Sequence, residues 1–284
     1  MVPNQSVYRR TTVAYADIFD YPLTADELRL WCIKKRMQSS DSLTDRYFFL
    51  KGRGGLVRLR KKRREASAPK WNIARSVGWW LRCVPTIQLV GVTGGLAMDN
   101  ANPRDDIDIL VITKRNTLWT TRLFATLIVH FLGKRRRPGE TAVADKVCLN
   151  MFMSENALGT PKKEQDLFSA HEVLQMVPLW ERGDTYGKFL AKNTWVKHFL
   201  PNAWKQKARS KPPQFKVHSS PFVVFESIAR FVQLWYMKRR RTSEVISDSV
   251  LRFHPKDARV WVREELRKRL DAMNIPLDKI FYRG

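Results

Sequence analysis

The chain has 284 residues, 44% of them hydrophobic, which is enough to bury a substantial core and to divide into two or three modules. Its 52 Lys and Arg against 27 Asp and Glu leave a net charge of +25, so a polyanion is the expected partner, nucleic acid ahead of an acidic membrane surface. Cys32, Cys83 and Cys148 are odd in number, far apart and set in apolar surroundings, which excludes a disulfide framework or a CxxC metal site and fits a reducing cytoplasm.

Residues 7 to 20 place Val7, Val13, Ala14, Ile18 and Phe19 near helical spacing, and Tyr21-Pro22 ends that run. A second helix follows: Thr24 as N-cap with Glu27 three residues on is a capping-box pattern leading into Leu28, Leu30 and Trp31. The aromatic run Arg46 to Leu50 reads as a strand, Lys51 to Gly55 as a turn, and Leu56 to Leu59 as a return strand. Helices followed by a hairpin predict a winged helix over 1–66. The run from Lys51 to Arg64 holds eight basic residues (Lys51, Arg53, Arg58, Arg60, Lys61, Lys62, Arg63 and Arg64) and no acidic one. On a hairpin tip they would lie against a phosphate backbone; otherwise they are a solvated linker.

Lys70 to Val84 predicts an amphipathic helix whose tryptophans belong to the core. Then come a strand at 87–92, a Gly94-Gly95 turn, a short helix from Leu96, a polar loop through Arg104 and a strand over 106–113. A helix over 117–132 and a strand over 146–153 complete an alternating segment. The apolar stretch Leu118 to Leu132 contains Arg122 and His130 and is shorter than the roughly 20 residues a bilayer crossing needs, so no membrane partner is expected. No secretory signal is visible at the N-terminus. Beyond Ser154 the chain reads mostly helical, with a basic linker over 205–216, helices over 221–237 and 257–273, and the block Lys238 to Arg241 between them.

The chemistry concentrates in residues 90 to 113. Strand alternation sends Asp106 and Asp108 to one face and Ile107, Ile109 and Val111 to the other, so the two carboxylates converge. Like charges that close need a cation, and an oxygen-rich site suits Mg²⁺ or Mn²⁺. Gly94 and Gly95 leave backbone N–H groups open to a triphosphate where the strand turns into a helix.

Apolar strand, Gly-Gly, ten intervening residues, then Asp-hydrophobic-Asp-hydrophobic: this pattern resembles the signature of the polymerase-beta-like nucleotidyltransferase superfamily. The match is close over 87–113 and loose over 70–155. The resemblance implies an α+β chain with a winged helix (1–66), a central nucleotidyltransferase α/β domain with a small mixed sheet (67–200) and a basic linker with a C-terminal helical region (201–284). It implies that Asp106 and Asp108 bind the divalent metal and that Gly94 and Gly95 line the nucleotide pocket. Lys114, like Arg104 and Lys146, flanks the acidic strand and is placed to meet phosphates, although on loops of a chain this basic the solvent-facing reading of each is the stronger. Many members carry a third carboxylate on a neighbouring strand. Here the expected strand has Asn150 as its only polar interior residue, with Asp145, Glu140 and Glu155 nearby as substitutes. The expected function is transfer of a nucleoside monophosphate from an NTP to an acceptor hydroxyl, with nucleic acid held by the basic surface. The competing reading is a winged-helix regulator whose degenerate transferase domain senses a nucleotide. Base, acceptor and oligomeric state stay open.

Overall fold

The computed structural model describes residues 5–37, 46–137, 139–215, 225–237, 245–253 and 258–281. Its centre is a mixed sheet of six strands: β1 (Ile87–Val92), β2 (Ile107–Thr113), β3 (Val147–Ser154), β4 (Val177–Glu181), β5 (Val245–Ile246) and β6 (Val250–Arg252), in the order β4-β1-β2-β3-β6-β5. Only β2 and β3 run parallel, joined by the crossover helix α4 introduced below; every other neighbouring pair is antiparallel. The chain is therefore α+β.

Strand alternation divides the core in two. Ile107, Ile109 and Val111 of β2 face a core built with α3 (Leu56–Trp80), α4 (Leu118–Phe131) and α8 (Glu226–Met237). Leu110 and Ile112 face the other side, which is covered by α1 (Gln5–Asp17), α2 (Ala25–Leu30), α5 (Leu167–Gln175), α6 (Thr185–Lys192), α7 (Pro201–Lys207), α9 (Ala258–Asp271) and α10 (Asp278–Phe281). Asp106 and Asp108 have the parity of this second face. Elements far apart in sequence are tied by polar contacts as well: the Glu226 carboxylate of α8 accepts from the backbone N–H groups of Trp119 and Thr120 at 2.8 and 2.9 Å, capping the first turn of α4.

Several local expectations hold. Thr24 and Glu27 form the capping box of α2, and the strands at 87, 107 and 147 begin within a residue of their expected positions. No described helix is long and apolar enough to cross a membrane.

The wing is different. Leu56 to Leu59 is no return strand but the first turn of α3, a helix of 25 residues that continues through Pro69. Among the described residues of the expected first strand, only Phe48 pairs, in an isolated bridge to Leu23. The physical reason is that the stretch after Gly55 is almost all Leu, Arg, Lys, Glu and Ala, strong helix formers that override a weak hairpin signal. Residues 38–45, between the second expected helix and the first expected strand, lie outside the described residues, as does Lys238 to Arg241. The C-terminal half is also less helical than expected, since β4, β5 and β6 all come from beyond Ser154 and β6 completes the sheet against β3.

The new helix changes what the basic run does. Arg60 makes a two-pronged ion pair with Glu27 at 2.6 and 2.7 Å, donates to the Pro22 carbonyl and lies 4.3 Å over the Tyr21 ring. Arg53 binds Asp17 and Asp20, and Arg63 reaches Asp20 and Asn100. These three arginines therefore fasten α3 to the N-terminal helices and are not free for a phosphate backbone. Lys51, Arg58, Lys61, Lys62 and Arg64 remain exposed. Burial alone would raise the Glu27 pKa, but hydrogen bonds from Arg60, Thr24 and Tyr21 outweigh it and hold the carboxyl below its ordinary value. Because the folded pKa is depressed, the stabilisation is present at neutral pH and is lost as pH falls through the folded value. Arg60→Ala is expected to cost about 2 to 3 kcal/mol, lowering Tm by roughly 4 to 10 °C at pH 7, and less in acid. Lys61→Ala should shift stability by no more than about 0.5 kcal/mol, so paired thermal melts separate fastening residues from solvated ones.

Candidate metal and phosphate site

β1 ends at Val92, and Thr93 leads into a five-residue 3-10 turn, Gly94–Met98. Gly94 has φ +67°, a left-handed conformation that a side chain would strain, and a Cβ there would stand 2.7 Å from Asp108 Oδ2. Glycine is required twice over, by the bend and by the carboxylate beside it. At Gly95 a Cβ would meet the Asn100 carbonyl at 3.4 Å, a tight approach. The backbone N–H of Thr93 donates to the Asp108 carbonyl at 3.0 Å, which locks the bend to the acidic strand. The bend and the carboxylates expected to work together are thus brought together. The turn is too short to carry the dipole of a full helix, and what it could offer an anion is the N–H groups that its first residues leave without intrahelical partners.

Asp106 and Asp108 converge as their spacing predicts. Ligand atoms of Asp106, Asp108 and Cys148 lie within 4.8 Å of one another, a group that can hold a metal ion. Cys148 is the residue the sequence reading missed: it stands directly across from Asp108 in the parallel register of β2 and β3. Burial, then the charges of Asp108 and Asp106, push its thiol up to about 12. It is a neutral thiol at physiological pH and a poor ligand for a hard cation, so the two carboxylates are the donors suited to an oxygen-seeking ion.

One residue beyond register, β3 bulges: Asp108 faces Cys148 but Leu110 faces Met151. Asn150 lies in this bulged stretch, buried, with its amide donating to Thr93 Oγ1 at 3.4 Å and hydrogen-bonded to the Asp108 carboxylate. It occupies the expected place facing the aspartates. None of the three substitute carboxylates joins it. Asp145 binds Lys70, Glu140 accepts from the Arg137 N–H, and Glu155 accepts from the Arg115 N–H at the far end of β3.

A third carboxylate does act on the site, from α5. Burial pushes the Asp108 carboxyl from 3.8 up to about 7, helped first by Asp106 and then by the charge of Glu172, while Arg136 and Asn150 oppose the rise. Glu172 is itself raised to about 7 by its enclosure, with Arg252 opposing. Its side chain is nonetheless accessible, because it lines a cavity. The signal available in sequence was a lone acid in the otherwise uncharged helix LFSAHEVLQ, apart from its neighbour His171. Only the fold shows which way that helix faces.

The cations differ from those expected. Lys114 follows the far end of β2, six residues beyond Asp108 and so about 20 Å along the strand, and its side chain is exposed to solvent. It is not part of the site. Arg104 is exposed on its loop, and Lys146 donates to the Gly133 carbonyl at 3.3 Å. The cation at the site is Arg136, which binds Asp106 at 2.6 Å. Beneath the acidic strand Lys70 is buried, with Nζ donating to the carbonyls of Pro103 and Asp105 and to Asp145 Oδ1 at 3.1, 2.6 and 2.9 Å. Those bonds hold both the loop entering β2 and the loop entering β3.

No family model, curated protein or solved structure matches the chain.

Two outcomes follow from this geometry. Binding a divalent ion requires Asp108 ionised, so Mn²⁺ affinity measured by titration calorimetry should weaken about tenfold per pH unit below about 7 and level off above it. The sign for stability is opposite to that at Glu27: an acid whose folded pKa is raised loses its proton first in the unfolded chain, so the metal-free protein loses stability between about pH 4 and 7 from this group, and added Mn²⁺ should restore it. Lys70→Met should cost about 2 to 3 kcal/mol by removing charge-assisted bonds from three acceptors, and should weaken Mn²⁺ binding by roughly ten- to a hundredfold by releasing the loop before Asp106.

Proposed function

We propose that the protein is a metal-dependent nucleotidyltransferase that moves a nucleoside monophosphate from an NTP to an acceptor hydroxyl. The observation that carries this reading is the contact between Gly94 and Asp108: a bend with open N–H groups lies directly beside a pair of converging carboxylates on one strand face. Mg²⁺ or Mn²⁺ fits this donor set, with Asp106 and Asp108 as its protein ligands, and when bound would supply Lewis acidity toward the phosphates. The remaining work falls to the chain. Gly94 and Gly95 allow a triphosphate to approach the backbone, Asn150 orients Asp108, and Arg136 holds Asp106 until substrate phosphates compete for the guanidinium. The acceptor oxygen forms its bond to the α-phosphorus as the bond to pyrophosphate breaks, and the acceptor proton passes to one of the carboxylates that act on the site, with Glu172 the one not committed to the cation. Such transfer depends on positioning and electrostatics more than on a special nucleophile.

The regulator reading has its own support: β3 carries a thiol opposite Asp108, and an arginine already neutralises Asp106, an arrangement that suits nucleotide binding without turnover. Incubating purified protein with labelled NTPs, Mg²⁺ or Mn²⁺ and cell-extract fractions as acceptors separates the two. Transfer is expected from the wild type and should fall by more than about a hundredfold in the Asp106→Asn, Asp108→Asn variant, beyond the loss of a mere outer partner. Nucleotide binding with no transfer to any fraction would give the regulator reading the field.

A further inference from the structure

A cavity of about 790 Å³ opens on the α5 side of the sheet, within the size range of small-molecule sites. One end reaches the bend beside the candidate site: Thr93, Gly94, Gly95 and Asn150 form part of its wall, as does Leu110, two residues along the strand from Asp108, while Asp106 and Asp108 themselves stand outside that wall. The rest runs between the sheet and the helices of both chain ends. Its walls there are mainly apolar and aromatic, with Phe19 and Tyr15 from the α1 region, Trp31 after α2, Phe168 on α5 and Trp261 on α9. His171 stacks on Tyr15 with ring centroids 4.1 Å apart, and burial keeps its imidazole neutral.

The charges in this cavity do not match those of the surface. A chain of net charge +25 lines it with two acids, Glu164 and Glu172, and two arginines, Arg252 and Arg259. Glu164 and Arg252 are bound to each other at 2.9 Å. A polyphosphate or a nucleic-acid strand would find no surplus of positive charge here, and would have to desolvate its phosphates against aromatic walls. An apolar body would gain from the same walls. Glu172, whose side chain is accessible where it lines the cavity, offers a carboxylate that can accept a hydrogen bond from one hydroxyl.

We infer that this cavity binds the acceptor, and that the acceptor is a small uncharged molecule with an apolar or aromatic body and a hydroxyl, not the end of a nucleic acid. The word acceptor rests on the transferase reading; the binding of such a molecule does not.

The probe is 2-naphthol, with its methyl ether as a partner lacking the donor, titrated calorimetrically into the full-length protein. Saturable binding of 2-naphthol is expected, tighter than that of the ether, with the preference lost in Glu172→Ala. Ser169→Trp, which places an indole in the cavity, should weaken binding by at least about tenfold while far-UV circular dichroism stays unchanged; Met153→Phe serves the same purpose if Ser169→Trp does not fold. Asp106→Asn with Asp108→Asn should leave 2-naphthol binding intact, so a failed transferase reading and a failed cavity assignment give different results. Absence of saturable binding, equal affinity in both folded cavity-filling variants, or NMP transfer to RNA at an undiminished rate in Ser169→Trp would overturn the inference.

Discussion

Two carboxylates of like charge share one face of a β-strand, and much of the architecture follows from making that tolerable. On a strand, Asp106, Asp108, Leu110 and Ile112 must point the same way, so a face that begins acidic ends inside a hydrophobic core. The acids stand at the start of that face, beside the Gly94 bend. Arg136 neutralises one of them and Asn150 hydrogen-bonds the other, but burial, and after it the remaining repulsion, still holds the Asp108 pKa above its ordinary value. A cation or a proton is the natural relief. Lys70 completes the arrangement from below, its three acceptors tying the loop before Asp106 to the loop before β3.

How much of this was legible in the sequence depends on how local the cause is. β1, the Gly94 bend and β2 follow from alternation and from one residue's backbone conformation, and they stand where residue pattern places them. The capping box of α2 is equally local. The wing failed because two local signals competed: aromatic strand propensity before Gly55 met strong helix propensity after it, and the 25-residue helix won with the help of Arg60 and Arg63, whose partners lie more than thirty residues away. β6 is three residues long and has meaning only against β3. Glu172 was invisible as a site residue for the same reason, because nothing within LFSAHEVLQ says that α5 turns it toward a strand more than sixty residues earlier.

Net charge was the most conspicuous bulk property and the least specific. Of the eight basic residues between Lys51 and Arg64, three are spent on Asp17, Asp20 and Glu27, so an inference from charge density to a phosphate-binding tip loses its geometric centre. Arg269 binds Asp17 from α9 as well, at 2.9 Å. Basic residues in this chain knit the N-terminal helices to the rest of the fold, and the five that remain exposed between 51 and 64 face solvent.

The separation of charge from cavity bears on chemistry. Phosphates and a metal demand polar surroundings, whereas the space that opens from the same bend is walled by aromatic rings and balanced in charge. A site of this kind has two ends with opposite solvation, joined at Gly94, Asn150 and Glu172. A substrate that satisfied both would carry a polar group on an apolar body, and the binding energy of that body, gained far from the reacting atoms, would hold the hydroxyl against the phosphorus. On the transferase reading, the raised acid on α5 would have a role distinct from that of a strand carboxylate, because it lines the cavity while Asp106 and Asp108 do not. Its place on a helix would leave the two aspartates of the sheet to a cation and put a separate carboxylate on the side from which an acceptor would approach.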